Sequence, residues 1–174
     1  MVAKCAGVIA CALLLGVTVA GAQEYPQKPI TVVVPFAAGG PTDTVARLLG
    51  VAMGKSLRTQ ILVENVGGAG GTIGAARVAK APPDGYTILL HHIGQSTAPA
   101  LYRKLPYDTI GDFEPVGLIN EVPMTLVARK DLPPNGLREL ITYVKANKDK
   151  ISYANAGLGA ASHLCGMLFM SAID

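Results

Sequence analysis

Short β-branched apolar runs alternate along the chain with stretches in which apolar residues recur every three or four positions. This pattern predicts βαβ units around a largely parallel sheet. Ile30-Thr31-Val32-Val33-Val34 is unbroken and closed by Pro35, so it reads as a strand buried on both faces. Beyond the Ala37-Ala38-Gly39-Gly40-Pro41 turn, Val45, Leu48, Leu49, Ala52, Met53 and Leu57 make the stripe of an amphipathic helix, with Arg47 off it. A second strand is expected at Gln60 to Glu64, then a glycine loop, then a short helix over Ile73 to Ala79. Pro82-Pro83-Asp84-Gly85 is a turn, and Tyr86 to Leu90 a third strand. Past Pro99 the periodicity weakens, and strands are expected at Val116 to Asn120 and Thr125 to Ala128, separated by Pro123, where the chain crosses between lobes. Pro133-Pro134-Asn135 starts a helix near Leu137 to Asn147, Ser152 to Ala154 makes a brief strand, and Ala160 to Met170 the last helix. The pattern stops at Asp174 without a terminal turn signal or closing strand, so it reads as unfinished.

The first residues change the picture by setting the compartment. Met1 to Ala22 reads as a secretory signal: Lys4 is its one charge, an apolar run from Cys5 to Ala20 follows, and Ala20-Gly21-Ala22 offers the small residues of a cleavage site before Gln23. An uncleaved anchor and a lipoprotein cut before Cys11 are the weaker alternatives, the latter because it would divide the apolar run. Cleavage leaves about 150 residues, enough for one domain or two small lobes. Losing Lys4 leaves 14 basic against 12 acidic side chains, a net charge of +2 that is too mild to imply nucleic acid. Cys5 and Cys11 lie in the signal, so Cys165 would reach the oxidising compartment alone and no internal disulfide is expected.

Candidate chemistry centres on two loops. Pro35-Phe36-Ala37-Ala38-Gly39-Gly40-Pro41-Thr42-Asp43 joins a buried strand to a helix start, where backbone N–H groups lack partners and the helix dipole favours an anion. The same residues also suit a plain turn, with Pro41 in the first helical turn and Thr42 or Asp43 satisfying the free N–H groups. Tyr153 to His163 repeats the arrangement: short strand, small-residue turn, helix start. Nucleotide motifs are near misses. Gly68-x-Gly70 is followed by Ile73 where a dinucleotide fingerprint needs glycine, and Gly50 to Ser56 is one residue short of a P-loop and lies within a helix. A close-packed loop beside the first one is the better reading of Gly67 to Gly71. Enzyme chemistry has little support: His163 and Cys165 point to different helix faces, Ser162 lacks a nucleophile elbow, and His91 and His92 are adjacent at a strand end and expected to face opposite sides.

Four segments resemble one family in order along the chain: YPQKPITVVVPFAAGGPTDTVARLL from Tyr25, VENVGGAGGTIGAARVAKAPPDGYTILL from Val63, LYRKLPYDTIGDFEPVGLI from Leu101 and SYANAGLGAASHLCGMLF from Ser152. They are similar to the Bug-type (TctC-like) substrate-binding proteins of tripartite tricarboxylate transporters. The resemblance implies an α/β, periplasmic-binding-protein-like (type II, Venus flytrap) two-lobed fold, incomplete at the C-terminus. Residues 1–22 would be the signal, 23–118 the first lobe and 119–174 part of the second. It further implies a monomeric periplasmic receptor, without cofactor or metal, that takes a small carboxylate and passes it to the membrane permease subunits. Carried over residue by residue, the ligand would be held by Phe36, Ala37, Ala38, Gly39, Gly40 and Asp43, with Gly157, Gly159, Ala160, Ser162 and His163 opposite. This chain departs from the family at Ala38, where proline is frequent, at Ala160-Ala161, where a serine is frequent, and in its shorter length. A non-functional fragment and an exported α/β hydrolase are the competing expectations, and the hydrolase lacks its motif.

Overall fold

In the computed structural model, which describes residues 24–173, β1 (Ile30–Val34) is the middle strand of a parallel sheet ordered β2-β1-β3. The expected signal, residues 1–22, lies outside the described residues. Valine and isoleucine at nearly every position suit β1 to this place, since a central parallel strand is covered on both faces. Ile30, Val33 and Val34 are fully buried. Val32 pairs with Val63 of β2 (Ile61–Asn65) and with Ile88 of β3 (Thr87–Leu89). All three strands fall within a residue or two of their expected positions.

On one face Val32 and Val34 pack with Ala46 of α1 (Pro41–Leu57), ringed by Phe36, Ile61, Val63 and Leu90. Strand alternation turns Val33 to the opposite face. There α2 (Thr72–Ala79) approaches so closely that a Cβ added at Gly74 would sit 2.7 Å from Pro35 Cβ. α1 starts where Gly40 is still extended and Pro41 occupies the first turn. Its buried side differs from the expected stripe. Leu48 is 69% exposed and Ala52 is exposed, while Val45, Leu49, Met53 and Leu57 are half-buried. The helix lies on the sheet through small residues instead: a Cβ at Gly50 would meet Ile61 Cγ2 at 3.3 Å.

Sequence periodicity missed α3 (Gly94–Leu101), whose Pro99 argues against a helix. The helix is short and held at its start by Ser96 and Thr97 hydroxyls on the Ile93 carbonyl, at 3.0 and 3.2 Å. The helices α4 (Leu137–Ala146) and α5 (Ala161–Ile173) form close to their expected bounds. The strands expected at 116–120, 125–128 and 152–154 do not form. A strand needs a hydrogen-bonded neighbour, and among the described residues none lies alongside these segments. Val116 and Val127 are consequently 88% and 89% exposed.

Candidate ligand-binding site

The order β2-β1-β3 places consecutive crossovers on either side of β1, so the carboxyl ends of β1 and β3 flank a switch point, the usual ligand crevice of open α/β sheets. The loop 35–40 leaves β1 at this point. Its shape is held from below by Asp43, whose carboxylate accepts from the Gly39 N–H (2.8 Å), Arg47 Nε (2.9 Å) and Asn65 Nδ2 (3.0 Å). Asn65 Nδ2 also donates to the Phe36 carbonyl at 3.1 Å. The Arg47 hydrogen bond, then the Gly39 N–H, then Asn65 hold the Asp43 carboxyl down at about 2. Asp43 is therefore ionised and fully engaged in bracing the loop. Gly40 N–H turns inward to the Ala37 carbonyl at 3.3 Å. Among the described residues no acceptor meets the N–H groups of Ala38, Thr42 and Asp43, which stay available at the positive end of α1.

The second loop is braced by its own polar side chains. Asn155 Oδ1 accepts from Gly157 N–H (2.9 Å), Ser162 Oγ from Ala156 N–H (2.9 Å) and His163 Nδ1 from Gly159 N–H (3.3 Å). Ala160 N–H closes on the Gly157 carbonyl at 3.0 Å. Ser162 and His163 thus shape the turn, and the first-turn N–H groups of Ala161, Ser162 and His163 have no acceptor among the described residues. The glycine, alanine, serine and histidine positions expected here all gather at one helix start, as do those of the first loop.

The two loops meet through intermediaries that sequence reasoning left out of the site. Gly70, at φ +63, faces the second loop so closely that a Cβ there would overlap the Leu158 carbonyl oxygen. A Cβ at Gly71 would lie 2.6 Å from His91 Nε2 and 3.2 Å from Phe36 Cζ, and one at Gly94 would lie 3.1 Å from the Gly159 carbonyl. The glycine run is the close-packed neighbour of the first loop that its composition suggested, and it touches the second loop as well. Tyr102 Oη donates to the Leu158 carbonyl at 2.8 Å, tying α3 to the second loop. A Tyr102→Phe chain is expected to keep its sheet while the amides of 157–159 exchange about fivefold faster, the loss of one net hydrogen bond. Unchanged exchange there would show the bond to be idle.

His91 and His92 do not face opposite sides. Chain direction changes after Leu89, where β3 ends, and both rings turn onto Phe36: His92 stacks on it at 4.4 Å between centroids, and His91 meets it edge-on at 5.4 Å. Burial, and then the neighbouring His92, push the His91 imidazole down to about 4, while burial alone lowers His92. His91 is thus neutral at neutral pH, packed between Phe36 and Gly71. The repeated glycines at 67–71 and the pair of histidines after a strand were the available signals.

This scaffold, with paired glycine-rich helix starts at the strand ends of a parallel sheet, belongs to the periplasmic-binding-protein-like α/β class. Residues 45–173 match the sequence model of the tripartite tricarboxylate transporter family receptor, TctC, and the chain belongs to that family. It is 56% identical over 156 residues to an Agrobacterium vitis UPF0065 protein encoded in the TAR-I ttuE-ttuC' intergenic region, a match covering 89% of this chain and 45% of that protein. Its fold is similar to the periplasmic binding protein BugD (TM-score 0.82, 59% identity, 86% of this chain, 50% of BugD). It is likewise similar to MatC of Rhodopseudomonas palustris with bound malate (TM-score 0.80, 47% identity, 86% and 51%). The chain therefore spans about half the length of the relatives it matches.

Proposed function

We propose that this chain is the solute-binding part of a periplasmic receptor that takes a small carboxylate and hands it to the membrane subunits of a tripartite tricarboxylate-type transporter. In this reading residues 1–22 direct export, residues 23–118 and 119–174 contribute to two lobes, and the protein binds without a catalytic step. The observation that carries it is that the glycine run 67–71 contacts both loops, Phe36 and Ala37 on one side and the Leu158 carbonyl on the other, while the N–H groups of Ala38, Thr42 and Asp43 and those of Ala161, Ser162 and His163 have no acceptor among the described residues. Donors of this kind stabilise carboxylate oxygens without a buried cation, because the helix dipoles supply the positive potential. Phe36, Ala37, Gly39, Gly40, Gly157, Gly159 and Ala160 then act as backbone walls, and Asp43 acts through loop shape. Malate held by a relative with this fold supports a dicarboxylate of similar size.

Thermal melts of the exported chain with malate and other short dicarboxylates test the proposal. A ligand at a hundred times its dissociation constant adds about 2.7 kcal/mol to the folded state and raises the melting temperature by several degrees. The diamide of malate is expected to give no shift. Equal shifts from diamide and diacid, or none from any carboxylate, would remove the proposal. The bare segment 116–127 favours a second reading, a fragment that folds in its first lobe only; a melt confined to the sheet β2-β1-β3 would mark it.

A further inference from the structure

The three histidines of the chain, His91, His92 and His163, use their rings in one way. His91 Nδ1 accepts the His92 N–H at 2.8 Å, His92 Nδ1 the Gly94 N–H at 3.1 Å, and His163 Nδ1 the Gly159 N–H at 3.3 Å. An imidazole that accepts at Nδ1 carries its proton on Nε2 and is neutral. A second proton can enter only at Nδ1, where it would meet a backbone N–H. Each charged ring therefore breaks the hydrogen bond that its neutral form makes. These bonds gather at one contact between the loops. A Cβ at Gly94 would lie 3.1 Å from the Gly159 carbonyl and also 3.1 Å from Cε1 of both His91 and His92, while Phe36 packs on both rings.

We propose that His91 and His92 are positioning residues of the ligand site: their neutral Nδ1 atoms fix the segment 91–94 against both loops, and protonation in mildly acidic solution releases it and weakens the hold on a carboxylate. The effect on the carboxylate rests on the receptor reading; the lock itself does not. The surroundings offer a charged imidazole no counter-charge. The first loop contributes Phe36 and the glycine run Gly71. The titratable groups across the contact are His163 and Tyr102, whose ring lies 3.7 Å from a Cβ at Gly159. Asp43 is committed to Gly39, Arg47 and Asn65, and no ion pair among the described residues joins a carboxylate to either ring. Burial lowers His92, and burial followed by His92 lowers His91 from 6.5 to about 4. An opened segment regains the ordinary histidine value and takes up protons first as pH falls. The lock is therefore complete above about pH 6.5, weakens below it and is lost as pH falls through about 4.

The test is nuclear magnetic resonance of the exported chain without ligand, reading ring tautomers and amide exchange between about pH 7 and about pH 5. Expected are Nε2–H tautomers for His91 and His92 and, corrected for intrinsic exchange, about twentyfold more opening of 92–94 at the lower pH. Amides of 30–34 report whether the sheet is kept. His91→Asn places an oxygen near the site of Nδ1 and cannot gain a proton, so it is expected to match wild type at neutral pH and to lose the acid response. His92→Asn repeats the test should the first variant lose its sheet. His91→Leu has no acceptor and is expected to open 92–94 at both pH values. Calorimetric titration with malate compares wild type with His91→Asn at each pH, so that protonation of malate itself cancels. Wild-type affinity is expected to fall about tenfold further in acid. An Nδ1–H tautomer, an acid response that persists in both asparagine variants, or tighter malate binding by wild type in acid would overturn the proposal. Should malate and other short dicarboxylates all fail to bind, the receptor reading falls, while tautomer and exchange still decide the lock.

Discussion

Replacing Asp43 with asparagine is expected to lower the melting temperature by roughly 10 °C, the response of a small domain to losing a buried, fully paired carboxylate. Asp43 is 2% exposed and faces three donors: the Gly39 N–H, Arg47 Nε and Asn65 Nδ2. An asparagine in its place offers one oxygen and turns an NH2 toward at least one of those donors. Arg47 simultaneously loses the partner that holds it across a helical turn. Acid melts give an independent readout. The Arg47 hydrogen bond, the Gly39 N–H and Asn65 lower the carboxyl from 3.8 to about 2. The unfolded chain therefore takes up a proton first as pH falls. The stabilisation is complete above about pH 4, declines below it and is lost as pH passes through about 2. Wild-type melting temperature is expected to fall in that window more steeply than that of the variant. Parallel slopes for the two proteins would show that the carboxylate does not hold the loop.

What the sequence made legible tracks how local each determinant is. β1 declares itself because a run such as Ile30 to Val34 satisfies a doubly covered strand and little else, and its crossovers follow from the spacing of β2, α1 and α2. The helix starts at Pro41 and Ala161 were readable for the same reason, as glycine turns followed by helical stripes. The orientation of α1 was not, because apolar spacing ranks large residues whereas the sheet accepts Ala46 and Gly50. The strands expected at 116–120 and 125–128 carry local β-propensity that holds only when a neighbour supplies hydrogen bonds. The site divides in the same way. Its two loops could be named from their own residues, but Gly70, Tyr102, His91 and His92 enter through contacts between segments distant in sequence.

Gly70→Ala is expected to be the most damaging single substitution for binding, lowering carboxylate affinity about a hundredfold with the sheet intact. Gly70 sits at φ +63, where a side chain costs about 1 kcal/mol, and its added methyl would overlap the Leu158 carbonyl oxygen. Both obstacles are backbone, so no rotamer change relieves them; the loop 157–159 has to move away and takes the first turn of α5 with it. Under the proposed function, displacement by even one ångström removes N–H donors from the anion the two loops would share, because hydrogen bonds weaken steeply with distance and angle. Gly39→Ala separates this clash from conformational strain. Gly39 also has positive φ, +79, but a Cβ there meets nothing within 4 Å, so about 1 kcal/mol of strain and a fivefold weaker complex are expected. Calorimetric titration with a carboxylate that shifts the wild-type melt measures the pair, and amide exchange over 157–160 measures the loop without ligand. If Gly70→Ala binds as Gly39→Ala does and leaves that exchange unchanged, the glycine loop is not what holds the two helix starts together.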